Sequence, residues 1–280
     1  MATKISLINM KGGVGKSTLA VNLAWMFAGF VGWDKKVLVI DVDPQFNASQ
    51  YLLGVAKYKQ LLAKNARTMW DVFEQLTRSP GKPSASALDP SDVIQRVVDY
   101  DDGSLIDLIP SRLELAFSLR NPNDKEPLLG QLVSKIETNY DLILVDCPPT
   151  ESLLTTSAYL VSDKILVPVK PDFLCTIGLP LLVNSIEEFR LRHEGHQVEV
   201  AGIVFNAASQ YPEEEKSKKQ VRTVAKQNGW YVFDNEIPFS RSFPTGARTG
   251  KPLFDTSHAP KKRITKFKQF TEEFARRIGL

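Results

Sequence analysis

The sequence predicts an α/β fold in which a doubly wound, mainly parallel sheet carries helices on both faces. Short runs rich in Val, Ile and Leu recur along the 280 residues and alternate with stretches of helical spacing. The runs are KISLIN (4–9), KVLVID (36–41), LIDLIP (105–110), DLILVD (141–146), KILVPVK (164–170) and VEVAGIVFN (198–206). Because the runs are continuously apolar rather than alternating, both faces of the sheet are expected to be covered.

Helical periodicity is clearest at the two ends of the chain. Residues 16–30 place apolar side chains at helical positions, namely Leu19, Leu23, Met26, Phe27 and Phe30. Residues 260–278 place one apolar face opposite a basic one, and the apolar residues are Ile264, Phe267, Phe270, Phe274 and Ile278. A basic amphipathic helix of this kind can bind a membrane surface, but so many large apolar residues favour a last helix docked on the sheet.

The chain is predicted to form a single domain over residues 1–280, with an insertion at about 54–104. This segment interrupts the alternation of strands and helices. It contains a helical piece, TMWDVFEQL, followed by TRSPGKPSASALDPSD, whose Pro, Gly and Ser residues are typical of an exposed loop. Such an insertion is a plausible docking surface and equally a tolerated loop.

Composition favours a cytoplasmic protein. Hydrophobic residues make up 43% of the chain and charged residues 24%, values that are ordinary for a globular domain. No apolar stretch approaches the ~18 residues that a membrane span needs, and the N-terminus runs into the first strand without a signal-peptide pattern. The two cysteines, Cys147 and Cys175, form neither a metal-binding pattern nor a disulfide framework.

Charge is unevenly distributed, although the net charge is only +3. Residues 206–280 contain 15 lysines and arginines against 8 acidic residues, so this part carries +7 and the remainder −4. A basic C-terminal quarter fits a surface that binds a polyanion, and it is also what a solvated helix surface looks like.

The segment KGGVGKST (11–18), between the first strand and the first helix, has the character of a phosphate-binding loop. Its glycines let the backbone approach a phosphate closely, and the helix N-terminus adds positive potential. Lys16 can neutralise β- and γ-phosphate oxygens, while Ser17 is placed to bind Mg²⁺ and Thr18 to reach the α-phosphate. The predicted nucleotide contacts come from Gly12, Gly13, Val14, Gly15, Lys16, Ser17 and Thr18.

This loop departs from the usual pattern at its start. The motif G-x-x-x-x-G-K-[ST] requires glycine at position 10, where the chain has Met10, and a second lysine, Lys11, follows. A Rossmann dinucleotide loop is disfavoured because no G-x-G-x-x-G is present.

Aspartates end two of the predicted strands. Asp146 closes LILVD, where a carboxylate can bind Mg²⁺ directly or through water, and VLVIDVDPQ ends with Asp41 and Asp43. Because ligands of open α/β sheets collect at the carboxyl ends of strands, these three aspartates are expected to converge with the loop on one site.

Three motifs together, KGGVGKST, DVDPQFNAS and LILVDCPP, resemble the ParA/MinD family of deviant Walker ATPases, and the ParA (Soj-like) branch most. The similarity runs to about residue 206 and continues more loosely over residues 237–255. It implies a P-loop NTPase fold, ATP and Mg²⁺ as ligands, and a homodimer that sandwiches the nucleotide.

The resemblance also implies residue roles. Lys11 corresponds to the signature lysine, which reaches phosphates held by the partner subunit, as an arginine finger does. Asp43 would orient or activate the attacking water, and Asp41 would lie near the magnesium ion. Asn206 and Pro238 occupy the positions that flank adenine in the family.

By the same resemblance, the ATP-bound dimer would bind DNA non-specifically and hydrolyse ATP slowly until a ParB-like or other partner protein stimulates it. This would serve plasmid or chromosome segregation in the cytoplasm, on the nucleoid. Candidate DNA contacts are Lys216, Lys218, Lys219, Arg222, Arg241, Arg248, Lys251, Lys261, Lys262 and Arg263.

Alternatives remain at this point. One is ParA-like positioning of a protein cargo or organelle, whose ATPase core would have the same sequence features. Another is a MinD-like ATPase that associates with a membrane, which the apolar face of residues 260–278 disfavours. An electron carrier of the nitrogenase-reductase type is disfavoured because Cys147 and Cys175 lack the surroundings of cluster ligands.

Overall fold

A sheet of eight strands forms the centre of the protein, in the spatial order β3-β4-β2-β5-β1-β6-β7-β8. The computed structural model describes residues 1–30, 32–75, 88–173, 175–209, 211–256 and 260–280. The strands are β1 (Thr3–Leu7), β2 (Lys36–Asp41), β3 (Gln95–Asp99), β4 (Leu105–Ile109), β5 (Leu142–Asp146), β6 (Lys164–Val169), β7 (Glu199–Ala208) and β8 (Ile237–Pro238). Each of the predicted apolar runs therefore forms a strand.

The α-helices of the described residues lie on the two faces of this sheet. They are α1 (Lys16–Gly29), α2 (Asn47–Ala63), α3 (Met69–Glu74), α4 (Leu128–Ser134), α5 (Leu153–Val161), α6 (Cys175–Arg192), α7 (Pro212–Gln227), α8 (Ser242–Thr249) and α9 (Lys261–Ile278). No helix among the described residues is both long and apolar enough to cross a bilayer.

Two hydrophobic cores cover the sheet, one on each face. Successive strand residues alternate between them, so that Val37 and Val39 of β2 enter one core while Leu38 and Ile40 enter the other. Helices α1, α2 and α9 pack on the first face, and α3 to α7 pack on the second. The continuous apolar strands are explained by this burial on both sides.

Part of the segment at 54–104 joins the sheet as β3. Strand β3 pairs antiparallel with β4 at the sheet edge, whereas every other pairing is parallel. The predicted helical piece is confirmed as α3, with Thr68 and Asp71 forming a capping box. Most of the predicted loop at 77–92 lies outside the described residues, and strand β3, which comes after it, was not predicted.

Helix α9 packs on the sheet, as the spacing of its apolar residues predicted. Phe267, Phe270, Phe274 and Ile278 are buried, and Phe233 packs edge-on against Phe270. The apolar face that a membrane-binding helix would need is therefore used inside the protein.

Candidate nucleotide-binding site

The loop between β1 and α1 has the backbone of an anion-binding turn. Gly13 and Gly15 have φ angles of 75° and 87°, a left-handed region that favours glycine. A Cβ on Gly15 would overlap the Asn206 amide nitrogen, so a larger residue there would displace the Asn206 side chain. Helix α1 begins at Lys16, and its N-terminal amides provide the partial positive charge that phosphates prefer.

A cavity of about 490 Å³ lies over this loop. Its walls come from the loop, from the segment after β2, from α2, and from two more distant positions. The lining residues are Gly12, Gly13, Gly15, Lys16, Ser17, Thr18, Asp43, Gln45, Asn47, Gln50, Tyr51, Pro149 and Ala247. The sequence-predicted phosphate-binding residues and Asp43 are thus brought together around one space, with Val14 buried behind the loop.

Lys16 is buried within the site, with 6% of its surface exposed. Its ammonium donates a hydrogen bond to the carbonyl oxygen of Asn9 at 3.2 Å. Burial lowers the pKa of Lys16, and the nearby carboxylates of Asp146 and Asp43 oppose this change. Among the described residues the Lys16 ammonium forms no ion pair, and a nucleotide phosphate would supply the missing anionic partner.

Asp146 and Asp41 lie side by side, because β2 and β5 are paired in that register. Neither oxygen of Asp146 has a hydrogen-bond partner among the described residues. Burial and the neighbouring Asp41 raise the pKa of Asp146 well above its usual range, while Ser17 and Lys16 oppose the rise. A buried carboxylate of this kind needs a cation.

The residues present fit a magnesium ion bound together with nucleotide. Mg²⁺ typically takes one or two protein carboxylates and completes its coordination with phosphates and water. Asp146 and the Ser17 hydroxyl lie at the correct end of the loop for that arrangement. Within the described part of the chain, no cluster of three or more His, Cys, Asp or Glu side chains could hold a metal by itself.

Asp43 and Asp41 have different surroundings although they are two residues apart. Asp43 lines the cavity, and its carboxylate accepts the backbone N–H of Gln45 at 2.9 Å. Asp41 is fully buried and accepts hydrogen bonds from the backbone N–H groups of Asp43 and Ser49. Burial raises the pKa of Asp41 to about 7. Its predicted place near magnesium stays a prediction.

The two lysines of the loop are separated. Lys11 does not line the cavity; its ammonium forms an ion pair with Asp172, which follows β6. The Lys11 backbone is held by a hydrogen bond from its N–H to the Asn9 side chain at 2.9 Å. Helix α6 packs directly on this lysine, because a Cβ on Gly178 would lie 3.3 Å from the Lys11 Cβ.

The predicted adenine contacts do not line the cavity. Asn206, at the C-terminal end of β7, donates from its amide to the Val14 carbonyl at 2.8 Å and so supports the loop. Pro238 lies in the short strand β8 beside β7. Contact of either residue with adenine stays a prediction.

The candidate DNA-binding residues divide into exposed and engaged groups. Lys218 is buried and paired with Glu215 and Glu236 at 2.9 and 2.7 Å, so its interpretation as a DNA contact was wrong. Arg222 is exposed but lies over the Phe205 ring and 3.7 Å from Glu236. The side chains that extend into solvent are those of Lys216, Lys219, Arg241, Arg248, Lys251, Lys261 and Lys262, while Arg263 is half-buried.

Several cavity residues were not predicted from the sequence. Gln45, Asn47 and Pro149 belong to motifs already recognised, DVDPQFN and DCPP, which could have suggested them. Gln50 and Tyr51 lie on α2 just beyond the first of these motifs. Ala247 had no local signal, because it reaches the site through the packing of α8 on α2.

Sequence comparison identifies relatives of the chain. A sequence profile of the AAA domain matches residues 2–199. Sporulation initiation inhibitor protein Soj of Bacillus subtilis is 30% identical over 207 residues, which cover 73% of this chain and 72% of that protein. The chromosome partitioning protein ParA of Myxococcus xanthus is 29% identical over 231 residues, covering 79% and 73%.

Solved structures share the fold over nearly the whole chain. Apo McdA from Cyanothece superposes with a TM-score of 0.77 at 17% identity, covering 98% of this chain and 99% of that one. A putative plasmid partition protein of Borrelia burgdorferi bound to AMPPNP has a TM-score of 0.73 at 20% identity and covers 99% of both chains. With a loop, cavity and strand-end aspartates of this arrangement, the chain belongs to the AAA domain family and is a ParA-like ATPase.

Proposed function

We propose that the protein is an ATP-dependent switch that forms a nucleotide-sandwich dimer, binds DNA non-specifically and hydrolyses ATP slowly to partition or position DNA. The observation that carries this proposal is the separation of the two loop lysines. Lys16 is buried in the chain's own site, whereas Lys11 lies outside the cavity, paired with Asp172. Lys11 is engaged with Asp172 rather than with the chain's own cavity, and it would act on a nucleotide held by a second subunit once that ion pair is exchanged.

The surface beside Lys11 supports a dimer. Ile177 and Leu181 stand four residues apart on α6, so they share one helix face, and they are 56% and 54% exposed. Helix α6 packs against Lys11 through Gly178. Exposed apolar side chains on the helix that packs against Lys11 are what a second copy would cover.

The hydrolytic chemistry is assigned to residues of the site. Asp43 orients and activates the attacking water, Lys16 neutralises the transferred phosphoryl group from within the subunit, and Lys11 of the second copy does so from across the interface. A magnesium ion held by Ser17 and Asp146 would supply further charge stabilisation at the β- and γ-phosphates. Turnover is expected to be slow until a partner protein completes this arrangement.

The C-terminal basic residues support DNA as the partner. Ala247 lines the nucleotide cavity, and the next residue, Arg248, is exposed. Helices α8 and α2 are in close contact, since a Cβ on Gly246 of α8 would stand 2.5 Å from the hydroxyl of Tyr51 of α2. Movement of α2 in response to nucleotide would therefore displace α8 together with Arg248 and Lys251, which links ATP binding to a basic surface.

Two alternative functions, membrane association and positioning of a protein cargo, would use the same ATPase domain. Membrane association is disfavoured because α9 buries its apolar face. Positioning of a protein cargo on DNA would need the same ATPase and the same DNA contacts, so it differs only in the partner bound.

Retention on non-specific duplex DNA tests the proposal, measured with ATP, with ADP and without nucleotide over a series of salt concentrations. We expect binding that needs ATP, that weakens steeply as salt rises, and that is lost in Lys11→Ala. Absence of DNA binding under every nucleotide condition, with ATP-dependent dimers still present, would contradict the DNA role. Binding to vesicles of anionic lipid would then be measured next.

A further inference from the structure

A buried hydrogen-bond network holds the loop that carries Asp43. Asp41, at the end of β2, is its centre. One Asp41 oxygen accepts the backbone N–H of Asp43 at 3.1 Å, and the other accepts the backbone N–H and the hydroxyl of Ser49 at 2.9 and 2.7 Å. Asp41 and Ser49 are both fully buried, so these contacts are not exchanged with water.

Ser49 links this loop to a second strand end. Its hydroxyl oxygen accepts the backbone N–H of Ser111 at 2.9 Å, and Ser111 follows β4, the strand paired with β2. The Tyr58 hydroxyl donates to the Ser111 carbonyl at 2.9 Å. The start of α2 is therefore tied to two adjacent strands of the sheet.

The loop needs this support because its backbone is strained at Phe46. Phe46 has φ 46° and ψ 31°, a left-handed conformation that is unfavourable for an aromatic residue and persists only when its surroundings hold it. Its ring stacks on Tyr58, with centroids 5.3 Å apart and an angle of 17° between the planes. The N–H of Phe46 donates to the Asp43 carbonyl at 2.8 Å.

We propose that Ser49 and Asp41 are positioning residues that fix the Asp43 carboxylate in the nucleotide cavity. Asp41 does not line the cavity, and its oxygens face the loop backbone and Ser49. Asp43 does line it. Ser49 thus acts on hydrolysis through Asp41 and the backbone of Asp43. This inference rests on the proposed role of Asp43 as the residue that activates water.

Ser49→Ala tests the inference by separating turnover from binding. Loss of the hydroxyl leaves the Ser111 N–H without its acceptor and removes one of the two hydrogen bonds that Ser49 donates to Asp41. We expect single-turnover hydrolysis to fall on the order of tenfold, because small displacements of a catalytic group cost this much or more. The Kd of Mg·ATP is expected to stay within about twofold, since the phosphate-binding loop is not altered.

Two matched variants control for folding. Ser157→Ala removes another fully buried serine hydroxyl, one without a hydrogen-bond partner among the described residues, and should leave turnover unchanged. Ser49→Thr keeps a hydroxyl and should recover most of the lost turnover. If Ser49→Ala does not fold, Tyr58→Phe keeps the ring on Phe46 but removes the bond to Ser111, and a reduction of a few-fold is expected.

Combining Ser49→Ala with Asp43→Asn distinguishes a failure of the positioning role of Ser49 from a failure of the proposed role of Asp43. If Ser49 acts through Asp43, adding Ser49→Ala to Asp43→Asn lowers turnover no further. Multiplicative losses in the double variant, or normal turnover in a folded Ser49→Ala protein, would overturn the positioning role alone. Normal turnover in Tyr58→Phe would do the same if Ser49→Ala is unfolded. Normal turnover in Asp43→Asn would instead overturn the proposed role of Asp43.

Discussion

The Lys11 ammonium forms an ion pair with Asp172 of the same chain. In the proposed dimer, the same ammonium neutralises phosphate held by the second subunit, so it cannot pair with Asp172 at the same time. The two side chains are partly exposed, and partly exposed pairs are worth about 0.2–1 kcal/mol. The pair therefore opposes dimer formation weakly and has to be exchanged when the second subunit arrives.

Asp172→Asn should strengthen ATP-dependent dimerisation by up to about thirtyfold, because each dimer exchanges two such pairs and each pair is worth up to about 1 kcal/mol. Asparagine keeps a side-chain oxygen that can accept the Cys175 N–H, as Asp172 does at 3.2 Å. Sedimentation velocity of the protein with Mg·ATP, over a series of concentrations, measures the effect. A dimer constant that is unchanged or weaker would mean that the pair does not compete with the interface.

Ile177→Asp or Leu181→Asp should weaken ATP-dependent dimers at least about tenfold, because each buried side chain of this size contributes roughly 1.5–3 kcal/mol. ATP binding to the single chain should not change. Leu191→Asp is the matched control, since Leu191 is 78% exposed on the last turn of the same helix. If Ile177→Asp and Leu181→Asp weaken the dimer no more than Leu191→Asp does, the face of α6 that carries Ile177 and Leu181 is not part of the interface.

Arg248→Glu should weaken binding to duplex DNA with ATP and reduce the slope of log affinity against log salt by about 0.9, the value expected for each lost phosphate contact. ATP binding should remain. Lys135→Glu makes the same change of sign at an exposed site that follows α4, on the other face of the sheet. If this control weakens DNA binding as much as Arg248→Glu does, α8 does not contact DNA.

Glu273→Gln should destabilise the protein by about 1–3 kcal/mol at neutral pH, since a buried hydrogen-bonded charge is lost. Glu273 of α9 accepts the backbone N–H groups of Asp234 and Asn235 at 2.8 and 2.9 Å, and the Tyr231 hydroxyl at 2.7 Å. Burial alone would raise the pKa of Glu273, but these hydrogen bonds outweigh it and hold the pKa below its usual value.

The pH dependence of this effect has a definite sign. Because the pKa of Glu273 is lower in the folded than in the unfolded protein, its stabilisation is present above the unfolded value of about 4.3 and is lost as pH falls through the folded one. Urea unfolding of the wild type and of Glu273→Gln between pH 7 and pH 3.5 measures this effect. The difference between their free energies of unfolding should become smaller at the lowest pH values. If the difference in free energy of unfolding stays constant over this pH range, the charge of Glu273 is not the source of the destabilisation.

Sequence patterns were sufficient for the parallel strands and the phosphate-binding loop, because each is encoded within a few consecutive residues. Strand β3 was missed since QRVVD is half-exposed at the sheet edge and lacks a continuous apolar run. Lys218 was misjudged because its burial depends on Glu236, a partner eighteen residues away. Ala247 acquires its surroundings from long-range packing, for which local sequence carries no signal. Ser49 lies within DVDPQFNAS, but its link to Ser111 depends on the neighbouring strand β4.

The molecular mass of Asp43→Ala with Mg·ATP, compared with that of Lys11→Ala/Asp43→Ala, tests the central claim most directly. With hydrolysis blocked, Asp43→Ala should sediment as a dimer. Adding Lys11→Ala should return it to a monomer that still binds ATP through Lys16, because the charge donated across the interface is gone. A double variant that remains dimeric with unchanged affinity would contradict the claim that Lys11 acts on the nucleotide of the second subunit.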